Sequence, residues 1–387
     1  MSNEMKNPFE EGMEQFNEFQ NKVMQTAVNA MQQLDPQKFS EQLITMQDNI
    51  MKGMDVLLNL KPEDVASDTL EKDVVVTVGK MRLFHYKPLA PARKRIKTPL
   101  LITYALVNRQ YMMDLQPDRS VIKSFLEAGL DVYIIDWGYP TAEDMYLTMD
   151  DYINWYMDEA VDAIRKETGK DAINLLGVCQ GGTFSTIYTA LHPEKIKNLV
   201  AMVVPIDFSG NEGLLFRWSK FMNIDSLVEA FDGVIPGDAM NVAYLVLKPL
   251  GNMVDKYVGM TDKWTDPEFM KNFLRMEKWV FDSPAQVGAT LAQFTKDLYQ
   301  GNKLIKGELE LGGKRVDLKN INMPVLCAVA EKDHLVPPSA SRPLMDAISS
   351  TDKQFMLFNT GHIGMYTSSK SRTDIIPSII EWIKSRS

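Results

Sequence analysis

Asn174-Leu-Leu-Gly-Val-Cys-Gln-Gly-Gly-Thr-Phe184 is the stretch on which the reading of this chain turns. An apolar run from Ala172 to Leu176 enters Gly177-Val178-Cys179-Gln180-Gly181, and a helix-like segment continues to about Leu191. Strand, sharp turn and helix in that order make a nucleophile elbow, with cysteine where such turns commonly carry serine. The glycines have a mechanical reason. The central residue takes a strained backbone, so neighbours two positions to either side must be nearly free of side chain. The competing reading is an inert cysteine buried in a Gly-rich turn, since free cysteine is among the most buried residue types.

Outward from the elbow, apolar strands alternate with helices. The pattern predicts a hairpin of Val74–Val78 and Met81–Tyr86 about Gly79-Lys80, then a strand over Pro99–Leu106 and a helix over Ser120–Gly129. A strand over Leu130–Asp136, a helix over Asp150–Thr168 and a strand over Ile196–Pro205 complete this half. Such alternation is the signature of a mostly parallel sheet covered by helices on both faces. It breaks from Asp207 to about Lys319, where Trp218, Phe221, Phe231, Trp264, Phe269, Phe273, Trp279 and Phe281 sit among helical patterns. It resumes at Pro324–Ala330, a helix near Ser339–Ser349, a strand Gln354–Phe358 and a last helix from about Thr373. The break reads as a cap (lid) inserted over the active site.

Two residues after the elbow would complete a catalytic set. Triads on this α/β-hydrolase type of scaffold run in chain order nucleophile, acid, histidine. Asp333 follows the strand ending at Ala330, and His362 follows the strand ending at Phe358. Both fall at C-terminal strand ends, where open α/β sheets place their chemistry. Asp333 would orient His362, and His362 would take the proton of Cys179. Glu331 and His334 are the rival acid and base; an extended loop would point His334 away from Asp333, so His362 is preferred. His192, in Leu-His-Pro at a helix end, reads as a capping residue, His85 as structural within its strand, and Cys327 as core. For the oxyanion hole, one donor is expected from the backbone N–H of Gln180. The other is expected from the loop after Leu106, near Val107 or Asn108.

Composition narrows the function classes. A hydrophobic content of 45% and a charged content of 24% are those of a globular chain. A net charge of −9, with no long basic block, argues against nucleic acid as partner. Apolar runs such as Leu199–Ile206 are too short to span a bilayer, and the N-terminus lacks a signal-peptide shape, so a cytoplasmic protein is expected. Two cysteines exclude a disulfide framework, and four histidines without ligand spacing predict no metal site. Residues 1–60 differ from the rest. Phe9, Met13, Phe16, Val23, Ala27, Ala30 and Leu34 form one amphipathic helical run; Phe39, Leu43, Met46, Ile50, Met54 and Leu57 form a second after Asp35-Pro36. Such a Met-rich extension is either a helical hairpin packed on the domain or an adaptable surface for a partner or an apolar particle. The expected domains are thus the extension 1–60, a core of 61–206 with 320–387, and the cap 207–319.

Together these residues resemble a family. Gly-Val-Cys-Gln-Gly-Gly-Thr-Phe (177–184), Tyr-Ala-Leu-Val-Asn-Arg (104–109) and Asp-Val-Tyr-Ile-Ile-Asp-Trp-Gly-Tyr-Pro (131–140) are similar to segments of polyhydroxyalkanoate synthases. So are Asn-Phe-Leu-Arg-Met-Glu-Lys-Trp (272–279), Asp-His-Leu-Val-Pro-Pro (333–338) and Thr-Gly-His-Ile-Gly around His362. The likeness runs collinearly over residues 73–387 and is nearest to the short catalytic subunits of class III, with class IV less near. It implies the α/β-hydrolase fold, the roles of Cys179, Asp333 and His362, and polymerisation of (R)-3-hydroxyacyl-coenzyme A, with the 3-hydroxybutyryl thioester foremost. It implies no cofactor, a second non-catalytic subunit, a homodimer or hetero-oligomer, and association with polyester granules. Thr360 stands where glycine is common in the family, and the N-terminus is longer than the short-subunit pattern implies. The alternative is a hydrolase, a thioesterase or polyester depolymerase, using the same triad.

Overall fold

Five nearly continuous apolar runs build the middle of one eight-stranded sheet, because strands covered on both faces need no polar side. They are β3 (Leu100–Thr103), β4 (Val132–Asp136), β5 (Ile173–Val178), β6 (Ile196–Met202) and β11 (Val325–Ala330), almost every residue of which is buried. The hairpin β1 (Lys72–Val78) and β2 (Met81–Tyr86) forms one edge, and β12 (Lys353–Phe358), only partly covered, forms the other. In this computed structural model the described residues are 51–247 and 263–387, apart from 53, 54, 57 and 264. Trp264 and the amphipathic runs expected within 1–60, save for 51, 52, 55, 56 and 58–60, lie outside the described residues.

The strand order is β1-β2-β4-β3-β5-β6-β11-β12. β2 runs antiparallel to β1 and β4, and all other neighbours in this sheet are parallel. From β3 the chain steps outward to β4 and then back across to β5 on the opposite side. That reversal is a topological switch point at the carboxyl ends of β3 and β5, the position where such sheets carry ligand sites. Helices α1 (Val121–Glu127), α2 (Asp158–Thr168) and α3 (Gln180–Leu191) make the crossovers. Ser120 caps α1 by accepting the Lys123 N–H at 2.9 Å, so the helix starts one residue later than the pattern predicts.

Two elements differ from expectation for legible reasons. The strand predicted to Leu106 ends at Thr103, because the Tyr104 carbonyl leaves the ladder and accepts the indole N–H of Trp137 at 2.9 Å. The helix predicted over Ser339–Ser349 is two short turns, Pro338–Ser341 and Leu344–Ala347, broken at Arg342-Pro343. Pro343 has no N–H to donate, which removes a bond from the helical ladder, although Arg342 before it keeps helical angles.

Between β6 and β11 the described chain is mainly helical, with Leu214–Phe221, Ile224–Ala230, Gly237–Leu247, Pro267–Phe281 and Gly288–Gln293. Two short ribbons interrupt them, β7 (Val234–Ile235) with β8 (Gln286–Val287), and β9 (Glu310–Leu311) with β10 (Lys314–Arg315). Two compact units result. One holds the sheet and takes in 67–240 and 279–387; the other groups 241–278 with the chain up to Ala66. Within the second, Arg275 donates to the carbonyls of Asp64 (2.7 Å) and Ala66 (3.1 Å). Within the first, Phe208, Phe216, Phe294 and Tyr299 form an aromatic cluster with ring centroids 4.9–5.9 Å apart, and Phe184 of α3 joins it through Phe294 at 6.1 Å.

Candidate active site

Cys179 stands between β5 and α3 with φ 54° and ψ −126°, a conformation that costs a non-glycine residue of order 1–3 kcal/mol. The turn is over-determined. The Cys179 N–H donates to Met202 O (3.0 Å), and its carbonyl accepts from Gly182 (2.9 Å) and Thr183 (3.1 Å). A Cβ at Gly177 would lie 2.4 Å from Gly182 Cα, and one at Gly181 would lie 2.4 Å from Tyr104 O. The two glycines therefore permit close approach, the first of strand to helix and the second of helix to the end of β3.

Asp333 and His362 are buried at the ends of β11 and β12. Asp333 Oδ1 accepts the N–H groups of Leu335 and Val336, both at 2.9 Å, so the carboxylate shapes its own loop. Its Oδ2 lies 2.6 Å from His362 Nδ1, and the Cys179 side chain lies within electrostatic reach of the same imidazole. Burial pulls the His362 pKa down. The Cys179 side chain and the Asp333 carboxylate outweigh it and raise the value to about 10. The imidazole thus holds its proton at neutral pH, next to sulfur. His334 and Glu331, the rivals, are exposed.

The remaining candidates take the places expected of bland residues. His192 ends α3, with Nε2 3.0 Å from Asn154 Oδ1 and its ring stacked on Tyr188. His85 stacks on Tyr133 at 4.0 Å beside Asp131 and Glu167. Cys327 is wholly buried in β11, and burial pushes its thiol up to about 12, away from thiolate chemistry.

Gln180 is the first residue of α3, so its N–H has no acceptor within the helix. Its side chain has a second task that the sequence did not disclose: Oε1 accepts the Leu106 N–H at 3.0 Å. Asn108, the alternative to Val107, spends its amide Nδ2 on Ser283 Oγ at 2.9 Å.

Comparison with known proteins decides the family. A model of the alpha/beta hydrolase fold matches residues 98–369, and one of the poly-beta-hydroxybutyrate polymerase (PhaC) N-terminus matches residues 18–125. The poly(3-hydroxyalkanoate) polymerase subunit PhaC of Allochromatium vinosum is 47% identical, covering 91% of this chain and 98% of that one. The chain belongs to the poly(3-hydroxyalkanoate) polymerase PhaC family. The PhaC subunit of Synechocystis is 44% identical over 88% of this chain and 91% of its own. Among solved structures, a monoacylglycerol lipase from Paleococcus ferrophilus covers 75% of this chain and 96% of its own, at 18% identity and a TM-score of 0.48. The family's N-terminal model takes in residues from 18 onward, and so part of the stretch expected to exceed the short-subunit pattern.

Several side chains of this polymerase-family site escaped the sequence reading. Arg109 is buried and pairs with Asp136 (2.9 Å), donates to Gly138 O (3.0 Å) and lies over the Tyr139 ring at 4.1 Å. Its own carbonyl accepts the indole N–H of Trp279 at 2.8 Å. These bonds hold the far end of the segment after β3. Tyr366 and Tyr104 lie edge to face with centroids 6.3 Å apart, and Tyr366 packs edge-on to His362 at 6.1 Å. All of them except Tyr366 lie in runs that carried the family resemblance (104–109, 131–140 and 272–279), but no local pattern marked their pairing, since the partners lie far apart in sequence.

Proposed function

We propose that this chain polymerises (R)-3-hydroxyacyl-coenzyme A, with 3-hydroxybutyryl-coenzyme A as its principal substrate, into polyhydroxyalkanoate with release of coenzyme A. The observation that carries the reading is the Cys179–His362–Asp333 geometry within a PhaC-family chain. His362 takes the Cys179 proton, the Cys179 sulfur attacks the thioester carbonyl carbon, and the bond to the coenzyme A sulfur breaks. His362 gives its proton to the departing thiolate. One thioester replaces another, so the acyl group stays activated on the enzyme. The hydroxyl of a second hydroxyacyl unit then attacks that carbonyl, His362 takes the hydroxyl proton, and an ester forms as Cys179 is released. Asp333 orients the imidazole and balances its charge throughout. The N–H groups of Gln180 and Val107 receive the negative oxygen of each tetrahedral intermediate.

Water is the competing acceptor. The proposed cap, 207–319, favours the hydroxyacyl acceptor by keeping water out, and it must open for the emerging chain. The coenzyme A thioester is the substrate and free coenzyme A a product, so the proposed chemistry needs no cofactor. A second, non-catalytic subunit, a homodimeric or hetero-oligomeric state and a place at the granule surface in the cytoplasm complete the proposal. Among the described residues no helix is long and apolar enough to cross a membrane. Incubation with 3-hydroxybutyryl-coenzyme A tests the reaction. Free coenzyme A with insoluble polymer is expected, and Cys179→Ala is expected to give neither. Stoichiometric free hydroxybutyrate would make the chain a thioesterase instead.

A further inference from the structure

The segment after β3 is held by two glutamines at a single residue. Leu106 gives its N–H to Gln180 Oε1 at 3.0 Å, and its carbonyl accepts from Gln286 Nε2 at 3.0 Å. Gln286 lies on β8, paired with Ile235 of β7, and is 3% exposed. Its Nε2 also faces Pro284 O at 3.2 Å and Ala285 O at 3.3 Å. Three carbonyls around one terminus admit only the amide NH2 there, so the orientation of this side chain is fixed by chemistry.

The Leu106 carbonyl and the Val107 N–H belong to the same peptide unit. In a planar trans peptide those two groups point in opposite directions. Whatever fixes the carbonyl therefore fixes the N–H. Gln286 draws the carbonyl to itself and turns the Val107 N–H away. A donor on the carbonyl also polarises the unit and strengthens its N–H as a donor. The Leu106 N–H is meanwhile taken by Gln180, whose own backbone N–H starts α3 beside Cys179.

We propose that Gln286 is a positioning residue for the oxyanion site: it aims the Val107 N–H at the carbonyl oxygen of the acyl group on Cys179. It acts through the Leu106–Val107 peptide and does not itself touch substrate. The inference rests on Cys179 being the acyl-accepting nucleophile, as proposed above.

The test compares two reactions of the same sulfur. Acylation by 3-hydroxybutyryl-coenzyme A or by p-nitrophenyl butyrate builds negative charge on a carbonyl oxygen, whereas alkylation by iodoacetamide does not. Gln286→Met keeps the volume and removes the donor. The expected result is a fall of roughly 10- to 100-fold in the single-turnover rate of Cys179 acylation, with little change in alkylation rate. Gln286→Glu adds a signature that loose packing does not produce. Its carboxylate cannot donate, but its neutral acid can. The ratio of its acylation rate to that of the unaltered enzyme should rise as pH falls through the titration of that carboxyl. Unchanged acylation in both variants, or acylation and alkylation falling in step, overturns the proposal. Acylation of the unaltered enzyme by the p-nitrophenyl ester but not by the coenzyme A thioester would sink the polymerase reading while leaving Gln286 testable on the ester. Acylation by neither donor overturns both.

Discussion

Tyr366 is fully buried, and its hydroxyl has no hydrogen-bond partner among the described residues. Burial, then the neighbouring Tyr104, Cys179 and Asp333, hold its phenol well above the ordinary tyrosine range, so it is a neutral, unmet donor. An unsatisfied buried hydroxyl costs about 1–3 kcal/mol, which Tyr366→Phe should recover in part while keeping the ring contact with His362. A urea midpoint higher than that of the unaltered chain is the expected outcome; a lower one would show that the hydroxyl is bonded after all. Asp333 is the opposite case, with both oxygens committed to donors. In Asp333→Asn one of those donors must face an NH2 group. Either the loop N–H groups or the imidazole loses its acceptor. Coenzyme A release should fall by roughly 100- to 10,000-fold, the range for loss of acid–base function. A loss under tenfold in steady-state turnover would remove Asp333 from the proposed mechanism.

At the scale of elements, the elbow depends on absent atoms. A Cβ at Gly181 would sit 2.4 Å from Tyr104 O and 2.5 Å from Thr103 O, both backbone atoms at the end of β3. Backbone cannot rotate aside as a side chain can, so Gly181→Ala must push α3 from β3. The expected result is loss of both acylation and rapid Cys179 alkylation, together with a lower unfolding midpoint. Retention of full activity would mean that the approach of helix to strand is looser than described. This element was legible from the sequence because its requirements are local: glycines two positions either side of Cys179, an apolar run before, a helix after. The acid and the histidine were legible for the same reason, each behind its own apolar strand. Gln286 was not. Its partner Leu106 is distant in the chain, and a lone glutamine after Ser-Pro-Ala carries no local pattern. The early end of β3 was equally hidden, since it depends on the indole of Trp137 reaching Tyr104.

Over the whole molecule, the His362 proton links the site to the stability of the fold. Its pKa in the folded chain, about 10, exceeds the ordinary 6.5, so between those values the folded state binds a proton that the unfolded state does not. Unfolding free energy then falls as pH rises across that interval. The contribution is fully present below about pH 6.5 and is lost as pH passes through about 10. Burial alone would have had the opposite effect, lowering the pKa; the Cys179 side chain, ahead of Asp333, reverses it. The dependence should therefore change when the sulfur is removed. Denaturant midpoints measured from pH 6 to pH 11 should decline for the unaltered chain, and the decline should be shallower and end at lower pH in Cys179→Ala. Other groups titrate in the same interval, so the difference between the two curves is the informative quantity. Parallel curves would mean that the His362 proton owes nothing to Cys179. A shallower curve in the variant would mean that the pairing which prepares the sulfur for acyl transfer also stabilises the sheet on which it is built.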